Sequence, residues 1–66
     1  MPLHRVRFTV EENYAGWRLD RYLMEKIRRL SRERVQALIE TRLEHDGPAR
    51  LKPGTRVTPG LTFALL

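Results

Sequence analysis

The spacing of apolar residues changes along this chain, and that change limits the folds it can adopt. Val6, Phe8 and Val10 alternate with polar residues, which predicts a half-buried strand over residues 5–10. From Arg18 onward the apolar residues recur at helical spacing instead. They form one stripe on a helix expected over residues 18–29, made of Leu19, Leu23, Ile27 and Leu30.

A second helix is expected over residues 32–40. Ser31 precedes it and is a favourable N-cap residue. Glu33 in the first turn suits the positive end of the helix dipole. Its apolar stripe contains Val35, Leu38 and Ile39.

Turn signals divide the remainder of the chain into short strands. Gly or Pro marks turns near residues 46–47, 52–54 and 59–60, and strands are expected near 43–45, 55–58 and 61–66. The element order predicts an α+β fold with two packed helices against a small antiparallel sheet. We expect the first strand beside the last one. The expected core is Leu19, Leu23, Ile27, Val35, Leu38, Ile39, Val57 and Phe63.

A chain of 66 residues has room for one domain. It has no cysteine and only two histidines, far apart in sequence, so we expect no disulfide, no metal site and no cofactor. No apolar stretch approaches the roughly 20 residues that span a bilayer, and we expect a cytoplasmic monomer without a membrane partner. Because the chain stops inside the apolar run 61–66, we interpret it as the N-terminal part of a longer protein.

The charge balance indicates a polyanionic partner. The chain carries 13 Lys plus Arg against 8 Asp plus Glu, a net charge of +5, and 11 of these cations are arginine. Arginine presents a planar fork of donors that matches phosphate oxygens. We therefore expect a nucleic acid as the partner.

Arginines cluster on the outer face of the first helix and at the start of the second. Glu25 is spaced to pair with two arginines of the first helix, Arg21 and Arg29, so a solvated face is the alternative to a binding face. A helix N-terminus attracts anions, which makes the start of the second helix a candidate phosphate clamp. The predicted RNA-binding residues are Arg18, Arg21, Arg28, Arg29, Arg32, Arg34 and Lys52.

Two aromatic residues near the start of the first helix could also contact a ligand. Trp17 directly precedes that helix, and it could cover the edge of the core or stack on a base. We favour the core. Tyr14 lies in the preceding loop and is the more exposed candidate.

Three motifs, in this order and spacing, resemble the S4 RNA-binding domain. They are Gly16-Trp17-Arg18-Leu19-Asp20-Arg21-Tyr22-Leu23, Leu30-Ser31-Arg32, and Val35 followed by Leu38-Ile39-Glu40. The likeness extends from about residue 8 to residue 65. Phe8-Thr9-Val10 and Ala15-Gly16 are most similar to the N-terminal domain of large-subunit (Rlu-group) pseudouridine synthases.

The resemblance implies an S4-like fold that binds structured RNA, most simply ribosomal RNA, and takes no small-molecule substrate. It matches Arg18 and Arg32 to positions that the family uses near RNA. The longer protein would be a pseudouridine synthase, an isomerase that modifies rRNA, and its catalytic domain would lie outside this chain. The sequence departs from the family pattern at Thr41, His45, Asp46 and Leu61, all in the strand half.

We expect no catalytic residue in this chain. Asp20 follows Arg-Leu, as the catalytic aspartate of pseudouridine synthases does, but Arg21-Tyr22-Leu23 replace the Thr or Ser and Gly that follow it there. Asp20 is therefore interpreted as a favourable charge in the first turn of a helix.

Other functions remain open at this point. Within the same family, the chain could be a stand-alone ribosome-associated factor or a tail of tyrosyl-tRNA synthetase. A helix-turn-helix DNA-binding module is a second class, although the outer face of the second helix carries Glu33, Ala37 and Glu40 rather than base-reading side chains. A protein-interaction module that uses the strand edge near residues 61–66 is a third.

Overall fold

The computed structural model describes residues 5–45, 47 and 50–66, and it confirms the α+β fold with two helices packed against a three-stranded antiparallel sheet. The predicted turn at 46–47 lies partly outside the described residues. The elements in chain order are strand β1 (Val6–Thr9), a 3-10 turn (Glu12–Tyr14), helix α1 (Leu19–Lys26), helix α2 (Arg32–Arg42), and strands β2 (Leu43–Glu44) and β3 (Thr62–Leu65). The part of the chain described after Arg42 contains no further helix.

The last strand occupies the centre of the sheet. The strand order is β1-β3-β2, with both pairings antiparallel, which confirms that the first strand lies beside the last. Phe8 and Phe63 are partners in this register and their rings stack 5.2 Å apart. Their side chains belong to the face that the helices cover, since both pack with the core.

Both helices end at residues other than those predicted. Helix α1 ends at Lys26, three residues early, because the N–H of Leu30 turns back to the carbonyl of Ile27 and reverses the chain toward α2. Helix α2 continues to Arg42 because β2 begins directly at the next residue. The helix start at Ser31 is confirmed, since its Oγ accepts the N–H of Arg34 at 3.2 Å.

The expected pairing of Glu25 is wrong. Its carboxylate accepts a hydrogen bond from Arg28 at 3.1 Å, one turn away, and not from Arg21 or Arg29. Arg28 and Arg29 both lie beyond the end of α1, so helical spacing does not decide which of them Glu25 contacts. Arg21 lies over the Trp17 ring instead.

Residues 55–58 do not form a strand of the sheet. They pair instead with the chain that enters α1, through a single antiparallel bridge between Arg18 and Arg56. The N–H of Val57 donates to the carbonyl of Trp17, and the N–H of Gly16 donates to the carbonyl of Val57, both at 2.8 Å. The strand prediction is wrong because the backbone of this segment forms hydrogen bonds with the chain that enters α1 and not with a strand of the sheet.

The core lies between the helices and the sheet, and six of its eight predicted members are buried. Ile27 and Leu38 are only partly buried and pack against its edge. Tyr22 is also buried, at 1% exposed, and its hydroxyl donates a hydrogen bond to Glu11 Oε1 at 3.0 Å. The buried apolar residues that were not predicted also include Val10, Leu51, Ala64 and Leu65.

No helix among the described residues has the length and apolar character needed to cross a membrane.

Candidate nucleic-acid interface

A shallow groove of about 380 Å³ opens where the starts of the two helices meet the segment 53–57. We call it the basic groove, because most of its lining is arginine. Its lining residues are Gly16, Trp17, Arg18, Arg21, Arg32 and Arg56. Because they lie at the starts of the two helices, one continuous patch is predicted for Arg18, Arg21, Arg32 and Arg34. The fold brings the first three to one depression, and Arg34 does not line it.

The turn before Arg56 provides hydrogen-bond acceptors for the first N–H groups of α1. The first N–H groups of a helix lack partners within the helix. Here the N–H of Leu19 donates to the carbonyl of Thr55 at 2.8 Å, and the N–H of Asp20 donates to the carbonyl of Pro53 at 3.1 Å. The start of α1 therefore has little capacity left to bind an anion through its backbone, and any anion held there must contact side chains.

The start of α2 is more open. Ser31 accepts the N–H of Arg34 with its hydroxyl and the N–H of Val35 with its carbonyl. Within the described part of the chain, the N–H groups of Arg32 and Glu33 have no acceptor. Arg32 therefore places a guanidinium and an available backbone donor at the positive end of the same helix.

Asp20 is buried next to the basic groove and forms an ion pair with one of its arginines, Arg18. Its side chain is 2% exposed, and its two oxygens accept Arg18 Nε and Nη2, both at 3.2 Å. The N–H of Arg21 donates to Oδ1 at 2.8 Å, and Gln36 Nε2 donates to Oδ2 at 3.3 Å. The expected role of a simple helix-end charge was too limited, because this carboxylate joins α1 to α2.

Electrostatics keep Asp20 ionised. Burial by itself raises the pKa of this carboxyl group, but the hydrogen bonds from Gln36, from the Arg18 guanidinium and from the N–H of Arg21 outweigh burial and lower the pKa below its ordinary value. Arg18 uses only two of its five N–H donors on Asp20. Its side chain remains 44% exposed, so the other donors can face a ligand.

The basic groove keeps an excess of positive charge. Its four arginines are balanced by one carboxylate, Asp20, which leaves three charges uncompensated. Among the described residues, Arg21, Arg32 and Arg56 have no ion-pair partner. An anionic ligand therefore gains attraction here without first displacing an internal carboxylate.

An aromatic ring forms one side of the basic groove. Trp17 is partly buried and packs against the core, as we favoured. Tyr14 forms a T-shaped pair with it, with ring centroids 4.9 Å apart and planes at 85°. The Arg21 guanidinium lies over the Trp17 ring, 5.8 Å from its centroid. Trp17 thus belongs both to the core edge and to the groove.

Arg56 is the groove residue that sequence reasoning missed. It lies within the segment 55–58, for which the sequence predicts a strand, but its guanidinium donates to the carbonyl of Gly16 at 3.2 Å. No local signal could have revealed this, because the contact joins residues 40 positions apart. The other predicted RNA-binding residues are exposed and do not line the groove: Arg28, Arg29, Arg34 and Lys52.

A second depression, of about 240 Å³, lies on the outer face of the sheet. Arg5 and Arg7 line it together with Glu44 and His45. Arg5 is already paired with Glu44 at 2.9 Å, so this surface is mixed in charge. It is a weaker anion site than the basic groove.

The described residues contain no cluster of three or more His, Cys, Asp or Glu side chains that could hold a metal ion. Comparisons of the chain with protein-family models, with curated proteins and with solved structures gave no match. The S4 resemblance therefore stays a prediction, and the case for a function depends on the geometry of the groove.

Proposed function

We propose that this chain is an RNA-binding domain that holds RNA phosphates in the basic groove. One observation carries the proposal: four arginines from three separate segments converge on one groove, and Asp20, the one carboxylate among the described residues that pairs with any of them, is buried. Phosphate contacts by arginine supply affinity with little sequence choice. The domain would therefore position RNA rather than read its sequence.

The second helix favours RNA over DNA as the partner. A recognition helix in the DNA major groove needs base-reading side chains along its exposed face. The exposed residues of α2 beyond its first turn are Ala37, Glu40, Thr41 and Arg42. Only Arg42 could read a base edge, and it lies at the last position of the helix, away from the N-terminal residues that a recognition helix uses. Structured RNA is recognised mainly by shape, backbone and 2′-OH groups, which suits a groove at the ends of the helices.

The S4 resemblance suggests a more specific role. We propose that the domain directs a pseudouridine synthase to ribosomal RNA in the cytoplasm, while the isomerase chemistry belongs to a separate catalytic domain. A stand-alone ribosome-associated factor is the alternative. Isomerisation of uridine in ribosomal RNA by the protein encoded by the full reading frame would distinguish the two.

The test of RNA binding compares two double variants that remove the same charge. The groove pair is Arg32→Gln with Arg56→Gln, and the control pair is Arg7→Gln with Arg50→Gln. The pairs are matched, since Arg56 and Arg50 each donate one hydrogen bond to a backbone carbonyl. Within the described part of the chain, Arg32 and Arg7 donate none from their side chains. Arg18 is avoided because it is held by Asp20.

We expect the groove pair to weaken binding of a structured RNA well beyond the control pair. Each lost phosphate contact should reduce the slope of log affinity against log salt by about 0.7–0.9, so the pair should reduce it by roughly 1.5. Binding is measured by fluorescence anisotropy over a salt series, after circular dichroism has confirmed folding. Equal losses from both folded pairs would mean that net charge, and not this groove, binds RNA.

A further inference from the structure

Phosphate binding does not explain why an aromatic ring forms one side of the basic groove. The ring suggests that the groove prefers some RNA structures over others. We propose that the groove holds one unpaired RNA nucleotide, whose base stacks against the pair formed by Trp17 and Arg21. The flanking phosphates would contact the other arginines of the groove. This inference rests on the proposed RNA binding and adds the kind of RNA feature that the site accepts.

The Trp17–Arg21 pair has the chemistry for stacking. The indole ring and the guanidinium are both planar, and unpaired bases stack on either kind of group in RNA-binding proteins. The two groups already lie against each other, 5.8 Å from guanidinium carbon to ring centroid. Tyr14 packs against the indole in a T-shaped pair, so little side-chain freedom is lost when a base is added.

Arg21 is available for this role. In the described part of the chain it has no carboxylate partner, and its side chain donates no hydrogen bond. Arg18 differs, because two of its donors are directed to Asp20. The two arginines therefore have different roles. Arg18 is a positive charge held in place by Asp20, while Arg21 offers a planar guanidinium that lies over an aromatic ring.

The shape of the groove also favours an unpaired nucleotide. A volume of about 380 Å³ falls within the roughly 300–1,000 Å³ typical of small-molecule sites. Gly16 lines the groove with φ +83°, and nothing lies within 4 Å of the position that a Cβ would occupy, so this side is open. Bases inside an RNA duplex are stacked on each other and cannot enter such a depression.

The inference is tested with two RNA hairpins that differ by one nucleotide, a fully paired stem and the same stem with a single bulged nucleotide. Trp17 is the one tryptophan in the sequence, so its fluorescence reports on the groove directly and needs no variant. We expect the bulged stem to bind more tightly, by roughly 5- to 150-fold, which corresponds to base stacking on an aromatic ring. It should also quench Trp17 fluorescence more strongly at saturation.

Two variants separate stacking from charge. Arg21→Lys keeps the charge but removes the plane, so it should reduce the preference for the bulged stem and leave the salt slope unchanged. Arg7→Lys is the control, because Arg7 is exposed and lies outside the groove. Equal affinity and equal quenching with both stems would overturn the inference while RNA binding stands. Binding of neither stem at low salt would overturn RNA binding as well.

Discussion

Replacing Asp20 by asparagine tests whether a single buried carboxylate holds the two helices together. Asparagine keeps the shape of the side chain and can keep an oxygen at the Oδ1 position, where it accepts Arg18 Nε and the N–H of Arg21. Its amide nitrogen then faces two donors, Arg18 Nη2 and Gln36 Nε2. Gln36 can rotate its amide to present an oxygen, but arginine has no acceptor to offer.

The expected cost is about 2 kcal/mol in the free energy of unfolding. One hydrogen bond between charged groups is lost irrecoverably, and such bonds contribute about 1.5–3 kcal/mol. The lower part of that range applies because Arg18 is 44% exposed and water can replace its partner. Glu25→Gln is the control: it removes an exposed ion pair with Arg28, three residues away in the chain, worth less than about 1 kcal/mol.

The assay is urea denaturation followed by circular dichroism at several pH values. Because the pKa of Asp20 is lowered in the folded state, its ionised form stabilises the fold fully above the unfolded pKa, about 3.9. That stabilisation is lost as the pH falls through the lower folded pKa. The difference in stability between the wild type and Asp20→Asn should therefore begin to shrink below about pH 4 and disappear once the pH is below the folded pKa. If Asp20→Asn costs no more than Glu25→Gln, or its cost persists in acid, the assigned role of Asp20 is wrong.

Two further predictions concern the helices. Leu23 is 0% exposed, so Leu23→Ala should lower the free energy of unfolding by about 2–5 kcal/mol, and a variant that melts like the parent would refute the packing of α1. Ser31→Ala removes the acceptor for the N–H of Arg34 and should cost about 0.5–2 kcal/mol. Ser31→Asn retains an acceptor and should restore most of that loss in the same thermal melts.

Three of the four arginines in the candidate site could be predicted from the sequence, and the fourth could not. Arg18, Arg21 and Arg32 could be grouped in advance because each lies at the start of a helix whose position the apolar spacing indicates. Arg56 could not be grouped with them, because its place depends on the bridge to Arg18, between segments far apart in the chain. Arg18 and Arg56 become neighbours only when the chain has folded.

Local sequence determined the elements themselves. Apolar spacing acts between residues two to four positions apart, and the N-cap of Ser31 acts within one turn, so the two helices and β1 could be located directly. The tertiary structure decided the burial of Asp20, the early end of α1 at Lys26, and the pairing of residues 55–58 with the helix start rather than the sheet. Each of these depends on which distant groups supply hydrogen-bond partners, and those partners come together only when the whole chain is packed.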